Sequence, residues 1–407
     1  MTPRTSVKAF LARARTALTA PPSKRQTPLT FVVGNESADL DSLCSAILLA
    51  YLRTHSPPHT LHIPLCHIPR DDLSLRPEFT SVLRRAGTSP EDVITLSELP
   101  GPESLSPADT RWLLVDHNAL TGQLAQLYSA QVDSCIDHHA DEGKVPQDSP
   151  LRAIEKSGSC ASLVVTQCRD AWDALSASSS EEEAQAIDTN LAYLGLGPIL
   201  IDTSNLKNAD KTTEFDTDAA TYLESKLKGG TGLVAASNPS GSSGSYERKV
   251  FHDEVAHLKE DITSLSLRDI LRKDYKEWED AGVRLGTSSV PQDFAFLAKK
   301  AGGEDALAEV IREWTKEKEL GLMAVLTTSS HDGKFKREML VWAQSEKAVQ
   351  AAQNFEKGCS EELGLSPWNN GSLDVDEKDS WRRCWNQANI KNSRKQIAPL
   401  LREALGT

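Results

Sequence analysis

Short apolar runs recur along the first half of the chain, and each gives way to a stretch with helical spacing. The runs are Phe31–Val33 (FVV), Thr60–Cys66 (TLHIPLC), Arg111–Asp116 (RWLLVD) and Asp133–Asp137 (DSCID). Between the first two lies an almost unbroken apolar segment, Leu43–Leu52, which reads as a buried helix. This alternation, from residue 31 to about 225, predicts βαβ units and an α/β fold with a mostly parallel sheet flanked by helices. The segment LAYLGLGPILIDT (191–203) fits helix or strand equally by periodicity. SASSSEEEAQ (176–185) reads as a solvated loop running into a helix start. The clearest break is KGGTGLVAASNPSGSSGSYER (228–248), whose Gly and Ser content suits a linker. Domains are therefore expected at 1–230 and 249–407, joined by a linker at 231–248. In the second, smaller α/β domain, residues 250–279 read as helical. VRLGTSSV (283–290), LGLMAVLTTS (320–329) and KREMLVWAQ (336–344) read as strands. No internal repeat is visible.

Composition changes this picture little. The 407 residues, 39% hydrophobic and 25% charged, suit a soluble protein of two domains. No apolar run is long enough to span a bilayer. The seven cysteines form no CxxC pair, which argues against a disulfide framework and a cysteine zinc site and favours a reducing compartment. A net charge of −13 disfavours nucleic acid and membrane surfaces as partners. Against that background, Trp381–Arg402 holds six basic residues and no acid, a place for an anion. The first 35 residues are also basic and acid-free. VKAFLARARTAL within them is either an ordinary helix packed on the first domain or part of a mitochondrial presequence. A cytoplasmic monomer is expected, with the presequence reading as the alternative.

The chemistry gathers where apolar runs end. GNESADLDS carries Asn35, Asp39 and Asp41; WLLVDHN carries Asp116, His117 and Asn118; CIDHH carries Asp137, His138 and His139; ILIDTSN carries Asp202. Ligand sites of open α/β sheets lie at the carboxyl ends of the strands. Asp is also a common helix N-cap, so Asp39 and Asp41 alone permit a capping explanation. Four such segments in order point to a divalent metal site, because carboxylates and imidazoles suit Mg²⁺ or Mn²⁺. KSGSCASLVV (156–165) is either a turn with a helix cap or a helix start whose N–H groups meet a phosphate. The remaining histidines, including the pair in HIPLCH, are expected to be structural or on the surface.

These four motifs resemble those of the DHH phosphoesterase superfamily, with its signature at Asp137-His138-His139. The second half resembles the DHHA2-type domain of family II inorganic pyrophosphatases and exopolyphosphatases, through NSRKQIAPLL (392–401) and LRKDYKEW (271–278). GNESADLDS in particular resembles fungal exopolyphosphatases, relatives of prune proteins. The resemblance implies two divalent cations, Mg²⁺ or Mn²⁺ with Co²⁺ possible, in a cleft between the domains. Asn35, Asp39 and Asp116 would surround one cation, and Asp41, Asp116, His138 and Asp202 the other, with Asp116 bridging. Asp116, His139 and Asp41 would carry catalysis, and His139 would protonate the leaving group. Lys276, Arg394 and Lys395 would grip the phosphate chain, while Asp137 and His117 orient ligands. The implied activity is release of orthophosphate from inorganic polyphosphate. Pyrophosphatase, nucleotide phosphodiesterase or a catalytically silent prune-like binding protein are the alternatives. One departure stands out: family II pyrophosphatases carry His where this chain has Asn35, a weaker and neutral ligand.

Overall fold

The structure, a computed structural model, describes residues 4–228, 246–331, 334–377 and 379–406. Most of the expected linker lies outside the described residues. The chain divides into two compact units, Met1–Lys259 and Glu260–Thr407.

In the first unit, β1 (Leu29–Val33), β2 (His62–Leu65), β3 (Thr110–Val115), β4 (Val132–Asp137) and β5 (Leu151–Ile154) form one sheet in the order β2-β1-β3-β4-β5. Every adjacent pair is parallel. The helices are α1 (Val7–Thr19), α2 (Leu40–His55), α3 (Pro77–Arg85), α4 (Gly122–Tyr128), α5 (Cys160–Ala177), α6 (Glu181–Asp202), α7 (Glu214–Lys228) and α8 (Arg248–Glu260). Parallel strands buried on both faces read as continuous apolar runs, which is why β1 is buried at all five positions. On one face, α2, α5, α6 and α7 pack on Val32, Leu113, Val115 and Ile136. On the other, Phe31, Trp112 and Tyr128 stack beneath α4.

Three local expectations meet a definite outcome here. The segment 191–203 is the end of helix α6, which runs through Pro198 to Asp202. The basic N-terminal stretch forms α1, with Val7, Phe10, Leu11, Ala14 and Leu18 buried in the cores of this unit. Helix α8 also belongs to this unit, since Phe251 and Val255 join its core and Phe251 packs edge-on to Tyr193. The division therefore falls at Lys259, later than the composition of the linker suggests.

The second unit contains α9 (Leu267–Lys273), β6 (Tyr275–Asp280), β7 (Val283–Val290), α10 (Phe294–Ala301), α11 (Glu304–Glu317), β8 (Leu322–His331), β9 (Lys334–Ala343), α12 (Glu346–Leu363), β10 (Leu365–Pro367), β11 (Val375–Glu377), β12 (Ser380–Gln387) and α13 (Arg394–Gly406). Its sheet runs β10-β12-β9-β8-β7-β6, with β11 paired to β12, and only β7–β8 is parallel. Helices α9, α10 and α11 cover one face, α12 and α13 the other. Residues 275–279, read as helical from sequence, belong to the edge strand β6. Tertiary pairing with β7 and the edge-on contact of Tyr275 with Trp314 override the helical spacing there. Among the described residues no helix is long and apolar enough to cross a membrane.

Candidate metal centre

The carboxyl ends of β1, β3 and β4 place the candidate residues side by side. Strand β1 ends at Gly34, and α2 starts so close that a Cβ at Gly34 would lie 2.5 Å from the Cβ of Ser42. Asp39 is the N-cap of α2 and accepts a hydrogen bond from Ser42 N at 3.0 Å. Asp39 thus does serve as a helix cap. Asp41, one turn in, is buried and points at the next element: Cys160 N donates to its Oδ2 at 2.6 Å and Ala161 N to its Oδ1 at 2.9 Å. It therefore caps α5, a helix distant in sequence. The preceding amides, Gly158 N and Ser159 N, donate to the buried Asp216. A Cβ at Gly158 would lie 2.8 Å from that carboxylate. The N–H groups of Gly158, Ser159, Cys160 and Ala161 thus go to two carboxylates, which favours the capping explanation for that segment.

Asp116 sits just past β3 with a φ of 60°, a conformation costly for a residue with a Cβ and typical of functional sites. Ser42 Oγ donates to its Oδ2 at 2.7 Å, and Asn35 Nδ2 donates to the same oxygen at 2.8 Å. His138 Nε2 lies 3.1 Å from its Oδ1 and 4.0 Å from Asp41 Oδ2. His138 Nδ1 is 3.0 Å from the carbonyl of Ser157. A carbonyl only accepts, so Nδ1 carries a proton and Nε2 is the nitrogen turned to the carboxylates, where it would serve as a metal ligand once it gives up its own proton. His139 Nδ1 is bonded to Asp137 Oδ1 at 2.7 Å, and its side chain is 24% exposed against 4% for His138. Ligand atoms of Asp116, His138 and His139 lie within 4.8 Å of one another.

The electrostatics fit a cation. Burial pushes the Asp41 carboxyl well above the usual carboxylate range, the charges of Asp116 and Asp202 push it further, and His138 opposes them only in part. Buried carboxylates that the protein does not neutralise are the setting in which a divalent ion binds, and the oxygen–imidazole donor set suits Mg²⁺ or Mn²⁺. Asp137 behaves differently. Burial alone would raise it, but the His139 hydrogen bond and charge, with the Asn118 amide at 2.6 Å, hold it at about 2. Asp202 ends α6 rather than a strand. His117 turns its Nδ1 to the carbonyl of Val115 at 2.9 Å.

Asn35 lies beside Asp116. Its Oδ1 accepts from Ser37 N at 3.0 Å and Ser37 Oγ at 2.6 Å, while its Nδ2 serves Asp116. The backbone donor at Ser37 and the carbonyl of Asp116, 3.1 Å from Nδ2, fix this amide orientation. Asn35 therefore holds Asp116 through its Nδ2, and its Oδ1 is engaged by Ser37. Sequence reasoning missed Ser42, Asp216 and Arg76. The buried Arg76 donates to the carbonyls of Ser37 and Ala38, gripping the turn before Asp39. Only Ser42 lay inside a recognisable motif; the other two reach the site through tertiary packing.

In the second unit, Lys276 lies on β6 opposite Thr287. Arg394 and Lys395 open α13, where Gln396 Oε1 accepts from Ser393 N and Ser393 Oγ, both at 3.0 Å, and Lys395 N donates to Ser393 Oγ at 3.3 Å. Arg394 donates to the carbonyl and Oδ1 of Asp274 at 2.9 and 2.8 Å.

Residues 30–196 match the family model "DHH family, N-terminal domain", and residues 253–404 match "DHHA2 domain". A Schizosaccharomyces pombe protein named "Putative exopolyphosphatase" is 32% identical, over 99% of this chain and 96% of its own length. "Exopolyphosphatase PRUNE1" of Rattus norvegicus is 25% identical over 97% of this chain and 78% of its own. The manganese-dependent inorganic pyrophosphatase of Methanothrix thermoacetophila is 26% identical over 73% of this chain and 80% of its own. The fold matches a crystal structure titled as a "putative family II inorganic pyrophosphatase" of Methanococcus jannaschii, with a TM-score of 0.57 at 20% identity over 93% of this chain and 100% of that one. The chain therefore belongs to the DHH family and pairs that family's N-terminal domain with a DHHA2 domain.

Proposed function

We propose that this protein is a metal-dependent exopolyphosphatase that removes the terminal phosphate from inorganic polyphosphate and releases orthophosphate. The observation that carries the chemistry is the cluster of Asp116, His138 and His139, with Asp41 buried beside it. The likeness to the Schizosaccharomyces pombe relative over nearly the whole chain supports the choice of substrate. Asp41, Asp116 and His138 would hold divalent cations, with Asp39 and Asp202 adding negative charge nearby. Such ions, when bound, lower the pKa of a coordinated water and neutralise phosphoryl charge.

The chain's own residues supply the remainder. Asn35 and Ser42 hold Asp116 Oδ2, so its Oδ1 turns to His138. Asp137 stays ionised and fixes the His139 ring through Nδ1, which suits His139 to pass a proton to the departing phosphate. Lys276, Arg394 and Lys395 take the anionic chain, Arg394 through paired N–H groups.

Orthophosphate release from long-chain polyphosphate, tripolyphosphate, pyrophosphate and cyclic AMP, each with Mg²⁺, Mn²⁺ or Co²⁺, tests the reading. The expected result is highest kcat/KM on a polyphosphate and none after chelation. Preference for pyrophosphate would favour the alternative suggested by the Methanothrix relative. Cleavage of cyclic AMP alone, or of nothing, would overturn both.

A further inference from the structure

Among the described residues of the second unit, one partly buried cation has no carboxylate partner. Arg337 on β9 is half-buried, and its Nε donates to the carbonyl of Ile390 at 2.8 Å. Its guanidinium lies over the ring of Phe335, 5.1 Å from the centroid. Among the described residues no carboxylate pairs with it and no acceptor meets its two terminal nitrogens. Burial pulls it below the usual guanidinium range, with nothing to offset the effect. Its terminal nitrogens stay open to solvent, so an arriving anion can meet them directly. Phe335 and Ile390 are each 44% exposed, and they wall the group without contributing charge.

Strand register sets Arg337 on a particular face. Lys276 pairs with Thr287, Thr287 with Ala324, and Ala324 with Val341. Paired residues share a face and alternate residues along a strand return to it, so Lys276, Val341, Met339 and Arg337 point the same way. That is the face covered by α12 and α13. The loop that Arg337 holds at Ile390 is folded by Gln387, which donates to Asn389 O and Asn392 O, both at 2.7 Å. The same loop leads directly into Ser393, Arg394 and Lys395. Three strand spacings and four residues of rise separate the Cα atoms of Lys276 and Arg337 by roughly 20 Å. The Arg337 side chain leans toward Phe335, further from Lys276 still.

We propose that Arg337, stacked on Phe335 beside the loop before α13, is a phosphate subsite that takes a non-reacting phosphate of a long polyphosphate chain. This rests on the function proposed above and adds a length-selective contact to it. A two-phosphate substrate held near Lys276 does not reach Arg337, whereas a chain of many phosphates does. The planar fork suits bidentate contact with a phosphate.

Arg337→Gln and Arg337→Lys, made in the full chain, test it. The Gln variant should raise KM for long-chain polyphosphate about tenfold, the loss of one hydrogen bond to a charged group, with kcat unchanged. Its KM should also become less sensitive to salt. Pyrophosphate, read as substrate or competitor, should be unaffected, and the Lys variant should fall between. Equal losses on both substrates would show that Arg337 only holds the loop, and unchanged KM would show that it meets no phosphate; either overturns the proposal. Titration of metal-free protein with long-chain polyphosphate, followed by tryptophan fluorescence, separates the two claims. If the wild type cleaves no polyphosphate, the proposed function fails. Weaker polyphosphate binding by the Gln variant in that titration would still support the subsite, and equal binding would refute it.

Discussion

Replacing Asn35 by Asp exchanges one NH2 group for an oxygen and tests which way the amide faces. In the structure Nδ2 of Asn35 stands 2.8 Å from Asp116 Oδ2. A carboxylate oxygen in its place would meet another at the same distance. At an effective dielectric constant of 20, the repulsion between two unit charges at that separation is about 6 kcal/mol. The pair escapes by taking up a proton. Protonating an aspartate of ordinary pKa near 3.9 costs about 4 kcal/mol at pH 7 and about 1.5 kcal/mol at pH 5. Once protonated, the introduced carboxyl group donates to Asp116 as the amide did. The metal-free variant should therefore be less stable than the wild type by about 4 kcal/mol at pH 7. The deficit should shrink to about 1.5 kcal/mol at pH 5. The sign follows from proton counting: the folded variant binds a proton that the unfolded chain has lost, so stability falls as pH rises. Urea unfolding in chelator at both pH values measures it. A deficit independent of pH, or a gain in stability, would refute the assigned amide orientation and the part given to Asn35.

Two further perturbations have definite outcomes. Asp116→Ala should abolish turnover at saturating Mg²⁺, while Asp39→Ala should cost much less activity and about 1 kcal/mol of stability as a lost cap; near-normal rates for the Asp116 variant would remove it from the reaction. Burial lowers His62 to about 4, with its hydrogen bond to Thr60 O only partly opposing, so the folded state keeps the ring neutral. Stability from this residue is constant above pH 6.5 and is lost as pH falls toward 4, about 2 kcal/mol of it by pH 5. His62→Gln should reduce the pH 7-to-5 slope in urea unfolding, leaving a slope of the same sign from His67 and His55, and an unchanged slope would contradict this assignment.

The parallel sheet of the first unit was legible from sequence because strands buried on both faces must be apolar throughout. β1 and β3 hold such runs, Phe31–Val33 and Trp112–Val115, and chemistry-bearing residues follow them directly, whereas β4 has only Cys135 and Ile136 before Asp137. The ordered motifs also named the carboxylates and histidines that gather at Asp116. The short strand β5 carries too little apolar signal to be seen. Helix α6 was ambiguous because a helix buried all round loses its periodicity; thirteen of its residues are buried. Strand β6 was misread because LRKDYKEW has helical spacing, and only pairing with β7 makes its second half extended.

What the sequence determined by itself was therefore the order of the elements and the kinds of ligand at their ends, since burial pattern and residue chemistry are written position by position. Tertiary structure alone decided how those side chains are used. Asp41 became the cap of a helix begun at Cys160, Asn35 became a donor to Asp116, and Arg76 reached the turn at Ser37 and Ala38. Each of these depends on which backbone groups the fold brings within hydrogen-bond reach and on which of them need a donor or an acceptor once buried. That requirement is a property of the packed chain, because buried polar groups must be satisfied by whatever neighbour the fold supplies.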